Sequence, residues 1–207
     1  MNFPSFTNLK TERLLLRQLQ PQDAEEIFQL RSDKKVNTFL DRPIATSIDD
    51  ALQFINMIIT AQNNNESMMW AITLKGNPNL IGTIVYWNIV KEKDEAEVGY
   101  ELLPEHHGKG IMQEALLKVI EFGFETVGLK TIVADPKAIN ERSVKLLEKC
   151  GFVKKDVTDD GYLVYELRAP PVILSIAKNL LRYANRKLIS FRRYFAMLRM
   201  TIALYLL

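Results

Sequence analysis

Apolar and polar positions alternate along residues 1–168 in a way that predicts an ordered series of strands and helices. Glu12–Leu19 (ERLLLRQL) reads as a strand, and Pro21 opens a helix to about Asp33. Asp23, Glu25 and Glu26 complement the positive end of that helix. The polar stretch Lys34–Thr46 reads as a loop leading to Ser47, whose hydroxyl suits the N-cap of a helix through about Gln62. Leu52, Ile55 and Ile59 share one face of it. Strands are predicted at Met69–Leu74, Leu80–Val90 and Ala96–Leu103. Between Gly110 and about Val127 the apolar positions 111, 115, 116, 119, 120 and 122 have helical spacing. Thr131–Ala134 is a short strand, and Asn140 caps a helix that stops at Gly151. Phe152–Val157 and Tyr162–Leu167 form a predicted hairpin around Thr158–Gly161.

The order is β-α-α-β-β-β-α-β-α-β-β, ending near Arg168. It describes an α/β domain of α+β type: a central, mostly antiparallel sheet layered with helices. Composition agrees with one globular domain in 207 residues, 47% hydrophobic and 25% charged. The net charge of +2 hides an asymmetry: residues 169–207 carry seven Lys or Arg and no Asp or Glu, leaving 1–168 at −5. The division is therefore 1–168 for the domain and 169–207 for a basic, apolar tail. A single cysteine, Cys150, excludes an internal disulfide framework and fits a reducing, cytoplasmic setting. No apolar segment has signal-peptide or membrane-spanning length, so no transmembrane segment is expected.

The stretch His106–Ala115 (HHGKGIMQEA) joins a strand to a long helix through two glycines. Unpaired amides at a helix start, with the positive end of its dipole, suit an anion, and glycines let the main chain approach it. The spacing lacks the third glycine of a dinucleotide fingerprint and the G-x-x-x-x-G-K-[ST] of a P-loop. A plain structural turn therefore remains an equal reading. Adjacent histidines diverge in direction and have no third His or cysteine pair nearby, which argues against a metal site, so no metal is expected.

A second motif extends the first. EVGYELLPEHHGKGIMQEA (97–115) followed by NERSVKLLEKCGF (140–152) resembles the GNAT N-acetyltransferase superfamily, and most of all its RimJ/RimL-like branch. TERLLLRQLQPQDAEEIFQL is typical of the same branch, and the resemblance spans about residues 10–168. It implies the GNAT-type acyl-CoA N-acyltransferase fold, helices on both faces of the sheet, and acetyl-CoA as acyl donor. The pantetheine arm would pair with main chain near Leu102 and Leu103. The pyrophosphate would sit on the amides of His107, Gly108, Lys109, Gly110, Ile111 and Met112. Glu105 stands where the family usually has Gln or Arg, which removes one side-chain contact. Asn140 would face the pantetheine amides, although it also reads as a simple N-cap. Ser143 would lie near the sulfur and protonate the thiolate. Leu147 occupies the position where many members carry a tyrosine acid.

The implied reaction is direct attack of a primary amine, from a protein N-terminus or a small molecule, through a tetrahedral intermediate. Glu97 matches a position that serves several members as general base. Strand alternation puts Glu97, Gly99 and Glu101 on one face, with Glu101 read as a solvated glutamate. An α-amine of pKa ~7.7–8.0 costs about 1 kcal/mol to neutralise at pH 7, a lysine of ~10.4 about 4–5 kcal/mol, which favours the α-amine. Asp159 and Asp160 in the hairpin would attract a cationic acceptor, or serve only as turn residues. The alternative is a CoA-binding sensor without turnover. No nucleic-acid partner is expected, and a homodimer is left open. The tail admits weak membrane-surface contact, a docked helix, or appended coding sequence foreign to the domain.

Overall fold

The computed structural model describes residues 6–171. The first strand is a two-residue β1 (Leu9–Lys10), which has no periodicity to announce it, paired with β2 (Leu14–Gln18), the strand expected at Glu12–Leu19. A 3-10 turn at Pro21–Asp23 precedes α1 (Ala24–Ser32). That turn is fixed by buried Asp23, which accepts from the Gln20 amide at 2.8 Å and pairs with Arg17 at 2.6 Å.

The predicted polar loop holds one helical turn, α2 (Lys34–Asn37), capped by the Asp33 carboxylate, which accepts from Lys35 and Val36. Helix α3 (Ile48–Asn63) begins as expected. Ser47 accepts from the Asp50 amide at 3.2 Å while Asp50 accepts from the Ser47 amide at 3.1 Å, a reciprocal cap.

Strands β3 (Met68–Leu74), β4 (Leu80–Val90) and β5 (Glu95–Leu102) follow. Helix α4 (Ile111–Phe122) ends in a π turn over Gly123–Val127, where a continuous helix was expected. The cause is local. The buried Tyr86 hydroxyl donates to Val119 at 2.9 Å, and a side chain at Gly123 would lie 2.5 Å from it, so the last turn widens around the phenol. Strand β6 (Thr131–Ala134), α5 (Glu141–Lys149), β7 (Val153–Val157) and β8 (Leu163–Arg168) complete the unit.

The sheet order is β1-β2-β3-β4-β5-β6-β8-β7, antiparallel throughout except for the β5/β6 pair. Alternation along β3 sends Met69 and Ala71 into a core with Ile27, Leu30 and Ile55 of α1 and α3. Trp70 points the other way, edge-on to Phe122 of α4 at 5.5 Å and to Tyr86 at 6.1 Å. Such pairs add about 0.5–1.5 kcal/mol each beyond their buried area. Helices thus cover both faces of a mostly antiparallel sheet. The first compact unit ends at Ala169, and the readings of the tail concern residues outside the described ones.

Pairing between β5 and β6 covers only Glu95↔Thr131, Ala96↔Ile132 and Glu97↔Val133. Strand β5 continues to Leu102 while β6 stops at Ala134. A wedge therefore opens beside the second half of β5.

Candidate active site

Hydrogen bonding alternates along an antiparallel strand, so one known bond fixes which edge each residue serves. The Leu103 amide donates to Ile81 on β4 at 2.9 Å, and the Leu103 carbonyl accepts from His106 at 3.0 Å. Both groups expected to face pantetheine at Leu103 are already engaged. The same phase directs the main chain of Tyr100 and Leu102 toward the wedge. Of these, the Leu102 carbonyl is bonded to His107 Nε2 at 2.8 Å.

His107 is consequently a brace. Arg142 Nη1 lies 3.1 Å from its Nδ1, and a guanidinium only donates, so Nδ1 accepts and the Nε2 hydrogen goes to Leu102. The His107 amide donates to Pro104 at 3.1 Å and is likewise removed from the expected anion seat. No group of residues that would hold a metal occurs among the described residues.

The remaining loop keeps the predicted form. Gly108 and Gly110 adopt φ of 73° and 72°, values an L side chain strains to reach. A Cβ at Gly108 would meet nothing within 4 Å, so the loop is open above it. Gly110 is the N-cap of α4, which leaves the first amides of the helix directed out of its end. A buttress that sequence reading missed holds this loop from below. Arg13 donates to the Lys109 carbonyl at 3.0 Å and to Glu114 at 2.6 Å, and Thr11 also donates to Glu114.

The second part of the site is a cavity of about 710 Å³ on the α1 and α3 side of β5, reaching the wedge. Glu97, Asn140 and Ser143 all line it, so residues 46 positions apart in sequence border one cavity. Asn140 is the N-cap of α5, accepting from the Ser143 amide at 3.2 Å. The Ser143 hydroxyl lies 2.7 Å from the hydroxyl of Tyr100. Tyr100 had no role in the sequence reading, because an alternating strand gives no hint that its phenol crosses to α5. Leu147, at the family's tyrosine position, is fully buried.

Burial raises the Glu97 carboxyl to about 7, opposed by a 3.3 Å hydrogen bond from Asn88 and reinforced by the charge of Asp135. Asn88 reaches it because β4 bulges between Trp87 and Val90, with Asn88 at φ 49°. Glu101 is not solvated as expected. Its side chain is buried, pairs with Arg42 at 2.6 Å and accepts from Thr83 at 3.2 Å. Across the rim, Asp41 bonds both Lys137 and Tyr162 and ties the predicted loop to the hairpin.

A sheet wedge bordered by the main chain of Tyr100 and Leu102, beside a glycine-opened helix start, is the architecture of an acyl-CoA-dependent N-acyltransferase. The family model of the acetyltransferase (GNAT) domain matches residues 13–153. The uncharacterized N-acetyltransferase YoaA of Bacillus subtilis (strain 168) is 36% identical over 152 residues, 73% of this chain and 86% of that protein. Spermidine N(1)-acetyltransferase of Vibrio cholerae is 26% identical over 154 residues, 74% of this chain and 84% of that protein. RimL, a ribosomal alpha-N-protein acetyltransferase solved with coenzyme A, shares the fold at a TM-score of 0.71 and 18% identity, over 78% of this chain and 98% of that one. The chain belongs to the GNAT acetyltransferase family.

Proposed function

We propose that the protein transfers an acetyl group from acetyl-CoA to a primary amine, with Glu97 as general base. Bound acetyl-CoA supplies the thioester carbonyl for attack and a thiolate that leaves. The amides of Gly108–Met112 and the exposed Lys109 ammonium hold its pyrophosphate, and open space at Gly108 supports that fit. The main chain of Tyr100 and Leu102, rather than that of Leu103, faces the pantetheine arm, with the Asn140 side chain opposite.

Glu97 removes the proton from the attacking nitrogen. Its carboxyl at about 7 is matched to an α-amine of ~7.7–8.0, so the transfer runs nearly level. Ser143 donates a hydrogen bond to the departing sulfur. Tyr100, which burial keeps protonated, donates to Ser143 in turn. Solvent returns the proton from Glu97 to the thiolate, which closes the balance. The acceptors in view are a protein N-terminus or a small amine, in a cytoplasmic setting that suits the single buried thiol, Cys150.

The meeting of Glu97 and the Ser143–Tyr100 pair in one cavity at the wedge carries this reading. Release of CoA with an amine panel tests it. The rate constant kcat rises with pH as Glu97 deprotonates through about 7, then levels. Glu97→Gln removes that limb and lowers kcat by about 10²–10⁴. Full activity of Glu97→Gln at every pH overturns the base assignment, and no CoA release with any amine overturns the function.

A further inference from the structure

The cavity beneath Gly99 gathers carboxylates toward one end and, toward the other, two arginines with the single carboxylate of Glu101 between them. At one lie Glu97 and, on the wall beside it, Asp135. At the other lie Arg31 of α1 and Arg42 of the segment after α2. Glu97 and Glu101 share a strand face, so these ends are four residues apart along β5, about 13 Å at ~3.3–3.4 Å per residue. Gly99 between them carries no side chain to divide the space.

The two arginines share a single carboxylate. Arg42 donates from Nε to Asn37 at 2.8 Å and from Nη2 to Glu101 at 2.6 Å, which fixes its plane. The second oxygen of Glu101 accepts from Thr83. Arg31 rests 3.9 Å above the ring of Phe54, and it enters none of the ion pairs among the described residues. Burial and the neighbouring Arg42 lower its pKa, while the charge of Glu101, which Arg42 already pairs with, raises it. A guanidinium stays charged regardless and is costly to hold half-buried unless something pairs with it. Its planar fork fits a carboxylate or a phosphate. The other cation at the cavity, Lys137, is already bound to Asp41 at the rim.

We infer that Arg31 and Arg42 form an anion subsite for the acceptor, so that the substrate is an amine that also carries a carboxylate or phosphate. This rests on the acetyltransferase reading and narrows it. The amine lies toward Glu97 and the anionic group toward Arg31, with Phe54 holding the guanidinium flat. A polyamine, which brings positive charge to both ends, meets Arg31 unfavourably. Such an acceptor belongs to the Vibrio cholerae relative by its name, whereas here two arginines line the same cavity as Glu97.

Initial rates with acetyl-CoA on matched acceptors test the inference. One arm compares alanyl-aspartate with alanyl-asparagine, both amidated at the C-terminus, and a second compares phosphoethanolamine with ethanolamine. Spermidine serves as the polycationic reference. The expected result is a kcat/KM at least tenfold higher for the anionic member of one pair, and the arm that shows it separates carboxylate from phosphate. Arg31→Gln brings that ratio to about one, and Arg31→Lys retains part of it, which separates lost charge from lost folding. Glu101→Gln, which frees Arg42, raises the ratio. Equal turnover of both members in both arms, or faster turnover of spermidine, overturns the subsite and leaves the acetyltransferase intact. Failure to bind acetyl-CoA overturns both.

Discussion

On the wedge side of β5 the site is made of main chain: amides of a glycine-opened helix start and the strand edge at Tyr100 and Leu102. On the cavity side it is made of side chains drawn from α1, the segment after α2, β4 and the β6–α5 connection. A main-chain site presents the same donors whatever side chains surround it, provided no Cβ intrudes. It suits a donor shared by a whole family. A side-chain site changes with each substitution, so on the proposed reading acceptor choice lies in Arg31, Arg42, Asn88 and Glu97 rather than in the loop.

Substitutions that separate the two halves test this contrast. Gly108→Asp places a carboxylate in the anion seat without a clash, since nothing lies within 4 Å of its Cβ. It should weaken acetyl-CoA binding about 100-fold, about 2.8 kcal/mol, as measured by calorimetry. Gly108→Ala adds no charge and strains only φ, a folding cost of about 1–2 kcal/mol at most. If both weaken binding equally, the loop works through shape and the main-chain account fails.

Smaller effects are expected where the halves meet. Ser143→Ala should lower kcat about tenfold, about 1.4 kcal/mol, with acetyl-CoA affinity nearly unchanged. Tyr100→Phe should cost less, and the double variant no more than Ser143→Ala alone, because the phenol acts through the serine. Additive losses would show that Tyr100 touches substrate independently. The smallest effect belongs to the exposed rim. Asp41→Asn should change the acceptor KM by about twofold and leave kcat alone, a difference that vanishes at high salt.

The wedge side was largely legible in sequence because its features are local. Gly108, Gly110 and the Asn140 cap each follow from a backbone requirement within a few residues. What was missed there depends on partners far along the chain. The Leu103 amide answers to Ile81, the His107 ring to Arg142, and the loop to Arg13 some 96 residues earlier. The cavity side was mostly hidden. Lys34–Thr46 read as a polar loop, yet the α2 turn delivers Arg42 to Glu101 across 59 residues. Glu101 read as solvated because strand alternation gives a face but not what covers it. Tyr100 and Ser143 are adjacent only because β5 and α5 approach at the wedge.

Cys150, which closes α5, is the one thiol in the chain; it is buried, and burial pushes it up to about 11. At pH 8 such a group is almost entirely in the thiol form. A colorimetric reagent that captures free sulfhydryls therefore meets almost nothing on the folded protein. It reports the coenzyme set free at each turnover, so every rate named above can be followed continuously without a protein blank of its own.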